Sequence, residues 1–341
     1  MNNNTTICID LAKEVFQVAI FNHAGKAKLN KEVTAKKMCL IIAQYPDAAI
    51  YMEACGSAHH WARRFISSGH KVGLIPPHLA AKYRVGNKSD KNDVLSIYEA
   101  SKNQQLHCVQ IRTLEQQDIA TLHKSREGYK KERNQIASRL RGFGREYGVI
   151  FSLGISKLLK QVPMALEDAE NEMTVVARRV IFRLLEQLRH VITLMKEVSD
   201  EIETIAKQIE ACQRLVQLPG VAWLGASMMY AKFGSAECFR RGRDASASIG
   251  LVPAHSGSGG KVTIGRITKR GDKYLRTLII NGARSLVIHV KEKADGLSCW
   301  VRQLLSTKGF NKTIVAVANK LVRMATAMLK SGLEYRQPVA Q

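Results

Sequence analysis

Two different rhythms of apolar and polar residues divide this chain. From residue 5 to about 110, short apolar runs alternate with amphipathic stretches. "TTICIDL" and "VFQVAIFN" are rich in β-branched and aromatic residues and are separated by Ala12-Lys13-Glu14, and "AKLNKEV" follows a turn at His23-Ala24-Gly25. These three segments predict an antiparallel meander. Two further apolar runs, "AAIYMEA" and "KVGLI", alternate with helical patterns near 34–45 and 57–68, which predicts parallel additions to the same sheet. Beyond residue 113 the period lengthens. Ile119, Leu122, Arg126, Tyr129, Arg133, Ile136 and Leu140 recur every three or four residues across 114–145. After a break expected between Gly142 and Pro163, a second seam runs through Leu184, Leu188, Val191, Met195, Val198, Ile202, Ile205, Ile209 and Cys212. Two such seams predict a coiled-coil hairpin, within one chain or between chains, or an ordinary helical bundle.

Three antiparallel strands followed by parallel strands and helices describe a ribonuclease H-like α/β domain. The expected division is therefore an α/β unit over 1–112, a helical coiled-coil region over 113–213, and a mainly α-helical C-terminal domain over 214–341. The last part opens with "RLVQLPGVAWLGASMMYAKFG", where Pro219-Gly220 separates two apolar helical stretches in the manner of a helix-hairpin-helix unit. Ala222 stands where the second glycine of such a turn is usual, and a plain helical hairpin fits as well. Further on, Ser256-Gly257-Ser258-Gly259-Gly260 predicts a flexible loop, "KVTIGRIT" an extended segment, and Gly271-Asp272 the start of a helix bearing Tyr274, Leu275, Ile279 and Ile280.

Charge narrows the function classes. The 341 residues carry a net charge of +23. From Phe239 onward 19 basic residues face 5 acidic ones. Such an excess points to a polyanionic partner, DNA or RNA before an anionic membrane, because no basic amphipathic anchor stands out. No apolar run approaches the roughly 18 residues of a membrane span, and the N-terminus has no signal-peptide pattern. A cytoplasmic protein is expected. Seven cysteines without a Cys-x-x-Cys pair argue against zinc or a disulfide framework.

Four acids occupy positions of chemical interest. Asp10 and Glu53 each end an apolar run, while Asp90 and Asp93 lie three residues apart on one prospective helix face. Carboxylates at strand ends and on one helix turn suit a pair of Mg²⁺ ions acting on a phosphodiester. A helix cap is the plainer role for Asp90 taken alone. The serine-glycine segment matches neither a Walker A loop, since Val262 follows Lys261, nor a nucleophile elbow, since Ser256 takes the first glycine position. On residues alone it reads as a plain loop. The alternative is a serine nucleophile flanked by phosphate-holding cations at Lys261, Arg266, Lys269, Arg270 and Arg276. His59, His60, Trp223 and Trp300 read as packing or surface residues.

"CIDLAKEVFQVAI", "YMEACGSAHHWAR", "NKSDKNDV" and "IGLVPAHSGSGGKVTIGRITKRGDKYLRTLIINGAR" resemble the DEDD transposases of bacterial insertion sequences, the "IS-one-ten" family that includes the Piv DNA invertases, in its "IS-eleven-eleven" branch. The likeness covers nearly the whole chain in the same order. It implies a RuvC-like N-terminal domain, a coiled-coil middle and a C-terminal transposase domain. It also implies Mg²⁺ at Asp10, Glu53, Asp90 and Asp93, and a catalytic serine at Ser258, with Ser256 as the alternative if the loop register shifts by one residue. A phosphoserine intermediate, a guide (bridge or seeker) RNA pairing with donor and target DNA, and homodimers assembling into a tetramer follow from the same resemblance. Two other activities remain compatible with the residues: a RuvC-like junction nuclease using a water nucleophile, and a non-catalytic nucleic-acid scaffold.

Overall fold

The computed structural model describes residues 5–87, 89–103, 108–258, 261–290 and 295–336, without the side chains of residues 258, 261 and 262. Strands β1 (Thr6–Leu11), β2 (Val15–Phe21) and β3 (Ala27–Thr34) form the expected meander, followed by helix α1 (Ala35–Ile42), β4 (Ala49–Glu53), α2 (Ala58–Ser67) and β5 (Lys71–Ile75). The sheet order is β3-β2-β1-β4-β5, with β1, β2 and β3 antiparallel and β4 and β5 parallel to β1. That order and those directions are consistent with the ribonuclease H-like arrangement expected from the strand signals. A short helix α3 (Pro77–Ala80) and a 3₁₀ turn (Ala81–Tyr83) then lead to α4 (Asp90–Ser101).

Strand alternation separates two cores. Ile7, Ile9, Ile50 and Met52 point to the face covered by α1 and α2, where Met38, Ile42, Trp61 and Phe65 close the core. Cys8, Ala19, Phe21 and Ile75 point the other way, onto Val94, Ile97 and Tyr98 of α4.

The remaining chain is mainly helical. It contains α5 (Leu114–Glu146), α6 (Ile155–Glu167), α7 (Val175–Gln208), α8 (Glu210–Leu215), α9 (Trp223–Phe233) and α10 (Gly242–Ser248). Strands β6 (Pro253–Ser258) and β7 (Lys261–Ile267) and helices α11 (Lys273–Ile288), α12 (Gly296–Lys308) and α13 (Phe310–Ser331) complete it. Helices α5 and α7 pack within one chain. Ile136, Ala137 and Leu140 share a core with Ile181, Leu184, Leu185, Leu188 and Val191, and Arg126 Nε donates to Ser199 Oγ at 2.8 Å.

Three expectations for this region are corrected. The break between Gly142 and Pro163 is shorter than expected, since α5 runs on through Gly142 and Gly144, and Pro163 lies inside α6. Gly144 is required where Phe151 folds back, because a Cβ there would lie 2.6 Å from the ring. The second seam is not one continuous helix: Ile209 adopts extended backbone (ψ 114) and splits α7 from α8, while Cys212 stays buried. The serine-glycine segment is paired backbone as far as Ser258. Residues 253–258 and 261–267 form an antiparallel hairpin with Ser256 opposite Thr263 and Ser258 opposite Lys261. β-Branched Val262, Thr263 and Ile264 favour that extended state. Gly259 and Gly260, the rest of the expected loop, lie outside the described residues.

The chain divides into two compact units. One comprises residues 1–116 and 232–245, the other 117–231 and 246–341. Residues 232–245, which the sequence division places in the C-terminal domain, thus group with the N-terminal sheet. Among the described residues no helix is long and apolar enough to cross a membrane.

Candidate metal centre and serine hairpin

The β1–β4 register sets the first two carboxylates. Ile9 pairs with Met52, so Asp10 and Glu53 take the next step along adjacent parallel strands. Alternation turns both toward the face covered by α4, because Ile9 and Met52 point into the opposite core. Helix α4 begins with Ser89 as N-cap, whose Oγ accepts the Asn92 N–H at 3.3 Å. The cap is therefore Ser89 rather than Asp90. Asp90 and Asp93 occupy the first turn, where the helix dipole favours negative charge.

Carboxylate oxygens of Asp10, Asp90 and Asp93 all lie within 4.8 Å of one another. Asp93 is buried, Asp10 half-buried and Asp90 exposed. Glu53 is not a member of that group. It ends the strand that lies beside the one carrying Asp10. Burial pushes the Cys55 thiol above its ordinary range, and the negative charges of Glu53 and then Asp10 push it further. Three converging carboxylates supply hard oxygen donors of the kind a Mg²⁺ or similar divalent ion takes. Arg84 reaches the same place: its Nε donates to Asp93 Oδ1 at 2.5 Å.

The serine hairpin belongs to the other compact unit. Ser256 is exposed on β6. Ser258 ends the strand, and its side chain, like that of Lys261, lies outside the described residues. Arg266, Lys269 and Arg270 are exposed. Arg276 is different. It is 7% exposed, and its Nη1 donates to the carbonyls of Ile249 at 2.8 Å and Arg270 at 3.0 Å. Its guanidinium ties the end of the hairpin segment to the turn after α10, whereas the sequence pattern places it among the phosphate-holding cations.

Two further polar groups centre on histidines outside the sequence-predicted site. His123, 1% exposed, holds Tyr274 OH at 3.0 Å with Nδ1 and Ser227 Oγ at 2.9 Å with Nε2. Arg126 Nη1 donates to the same tyrosine oxygen at 3.4 Å. Burial lowers the His123 pKa from 6.5 to about 4, with Arg126 adding to the effect. In the N-terminal unit, His59 Nδ1 accepts the Arg112 N–H at 3.3 Å. Its pKa also falls to about 4, through burial and then the charges of Arg112, Lys232 and Arg63.

Residues 212–297 match the model described as "Transposase IS116/IS110/IS902 family", and residues 7–147 match a second transposase model. The transposase for insertion sequence element IS1111A of Coxiella burnetii is 36% identical over 96% of this chain and 90% of its own length. The transposase for insertion sequence element IS1328 of Yersinia enterocolitica is 31% identical over 97% of this chain and 98% of its own. The first model spans the hairpin with both serines, and the second spans all four acids. With likeness of that extent, the chain belongs to the IS116/IS110/IS902 family of transposases.

Proposed function

We propose that this protein is an RNA-guided DNA recombinase that cuts and rejoins DNA through a phosphoserine intermediate. The observation that carries the reading is the convergence of Asp10, from a strand, on Asp90 and Asp93, from a helix turn, to within 4.8 Å in a chain of this family. Asp10, Glu53, Asp90 and Asp93 would hold Mg²⁺, which supplies stabilisation of charge on the attacked phosphate and the departing oxygen.

Ser258 Oγ attacks a DNA phosphorus. A serine–phosphate bond forms, the bond to the 3′ oxygen breaks, the serine loses its proton and the 3′ oxygen gains one. The 3′ hydroxyl of the other DNA then attacks the phosphoserine: a new phosphodiester bond forms, the Ser258 Oγ–phosphorus bond breaks, the hydroxyl loses its proton and the serine regains one, so no phosphodiester energy is lost to hydrolysis. Lys261, Arg266, Lys269 and Arg270 hold backbone phosphates beside the hairpin. Donor and target are chosen by pairing with a guide RNA, and the net charge of +23 suits simultaneous binding of two nucleic acids.

In this reading, residues 1–112 form the RuvC-like metal domain, 113–213 the coiled-coil region, and 214–341 the transposase domain with a helix-hairpin-helix-like unit around Pro219-Gly220. Homodimers pair into a tetramer that joins acids and serine from different protomers. Exposed Val175, Val176 and Phe182 on α7 offer an apolar face for a second copy.

The test is adduct trapping. Wild-type protein with Mg²⁺, guide RNA and both DNAs should yield a covalent protein–DNA species. Ser258→Ala should abolish it while leaving DNA and RNA binding intact. An undiminished adduct would move the nucleophile to Ser256 or elsewhere. The three converging carboxylates need no serine to hold a metal ion, which favours one second reading, a junction nuclease with a water nucleophile. Mg²⁺-dependent cleavage with no adduct would establish that reading instead. No cleavage under any of these conditions would leave a binding scaffold.

A further inference from the structure

Arg84, extended in its backbone, directly follows the 3₁₀ turn and precedes α4 in the chain. Its guanidinium is seated on Asp93, one of the three converging carboxylates, through the 2.5 Å Nε–Oδ1 contact. The two side chains are 26% and 11% exposed, so solvent screens the pair only in part.

Two consequences of this contact oppose each other. A hydrogen bond that fixes a ligand's orientation raises metal affinity. A fixed positive charge one carboxyl group from an incoming cation lowers it. The orienting effect is small here, because one bond from a partly exposed side chain adds little to a residue already placed by the first turn of α4. The repulsion is larger. A single charge roughly 5 Å from a doubly charged ion costs about tenfold in affinity even at the dielectric constant of water. Arg84 also relieves the mutual repulsion of carboxylates gathered within 4.8 Å. A nucleic-acid phosphate offers the guanidinium an alternative partner, because its fork matches phosphate oxygens as well as carboxylate.

We propose that Arg84 is a counter-cation for the acidic cluster, one that weakens divalent-ion binding until a phosphodiester draws it off Asp93. Ion binding and substrate binding are then coupled through one side chain. The inference rests on the acids being the metal site.

Free Mn²⁺ can be counted by electron paramagnetic resonance during titration of the full-length protein as wild type, Arg84→Gln, Arg84→Lys and Asp93→Asn, each checked for native circular dichroism. Without nucleic acid, Arg84→Gln should bind Mn²⁺ about tenfold more tightly than wild type, and Arg84→Lys should stay near wild type. Added DNA duplex or RNA duplex should tighten wild-type binding and leave Arg84→Gln nearly unchanged. Whichever of the two acts identifies the source of the phosphate. Unchanged or weaker binding by Arg84→Gln overturns the proposal, and so does failure of both duplexes to alter wild-type affinity. If Asp93→Asn binds like wild type, or wild type binds no Mn²⁺, the metal-site reading itself falls and takes this one with it.

Discussion

Acidification should loosen the helical unit through one buried histidine. His123 is 1% exposed and accepts or donates hydrogen bonds at both ring nitrogens, to Tyr274 and Ser227. Its pKa is about 4 in the folded protein against an ordinary 6.5. Between those values the unfolded chain binds a proton that the folded chain does not. Stability is therefore full above pH 6.5 and falls as pH drops toward 4. The gap corresponds to about 3 kcal/mol, most of it lost by pH 4.5. Trp223 and Trp300 lie in the same compact unit as His123, whereas Trp61 lies in the other. In a Trp61→Phe background, urea unfolding followed by tryptophan fluorescence at pH 7.5 and 4.5 thus reports on the relevant unit. His123→Gln keeps one donor and one acceptor without a titrating proton. It should start less stable at pH 7.5 and lose about 2.5 kcal/mol less than the parent between pH 7.5 and 4.5. His59 titrates in the same direction but belongs to the other unit, so His59→Gln should leave this difference in place. An acid loss in His123→Gln equal to that of the parent would refute the assignment.

Two more expectations concern the C-terminal part. Gly282→Ala lies within α11, where alanine usually stabilises by about 1 kcal/mol. Here the new Cβ would strike the backbone carbonyl of Gly220 in the Pro-Gly turn, and Gly220 (φ +83) would have to give way. Backbone on both sides makes the clash costly, by about 1–3 kcal/mol, so calorimetry should show a lower Tm, and a higher one would disprove the close approach. For DNA binding, alanine at Arg266, Lys269 or Arg270 should each reduce the slope of log K against log salt by about 0.9. Arg276→Ala should leave that slope unchanged and lower Tm, since its guanidinium serves the carbonyls of Ile249 and Arg270. A slope reduced for Arg276→Ala alone would invert the assignment.

The features legible in the sequence share a physical cause. Strands β1 and β2 announce themselves as short apolar runs because both of their faces are buried, one under α1 and α2 and the other under α4. The acids stand out because Asp10 and Glu53 interrupt apolar runs where strands end, and Asp90 and Asp93 are one helix turn apart. Asp272 is equally readable as a helix start, and its carboxylate accepts the Leu275 N–H at 2.9 Å. The illegible features are those that neither apolar spacing nor local composition encodes. Ile209 continues the heptad rhythm, yet its backbone leaves the helix, because hydrophobic spacing records which face is apolar and not whether the axis continues. The Ser256–Ser258 segment has loop composition, but its pairing depends on residues across the turn.

Cations make the sharpest case. A carboxylate in an apolar run is costly and therefore conspicuous, whereas an arginine in a chain of charge +23 is one among many. Arg84 sits on Asp93, Arg276 caps two carbonyls, and Arg126 holds Ser199 at a position where the heptad wants an apolar residue. In each case the partner sets the role of the charge. Sequence alone can count the positive charges available to a polyanion. Only the three-dimensional pairing removes Arg276 from that count and places Arg84 where its release would matter to the site.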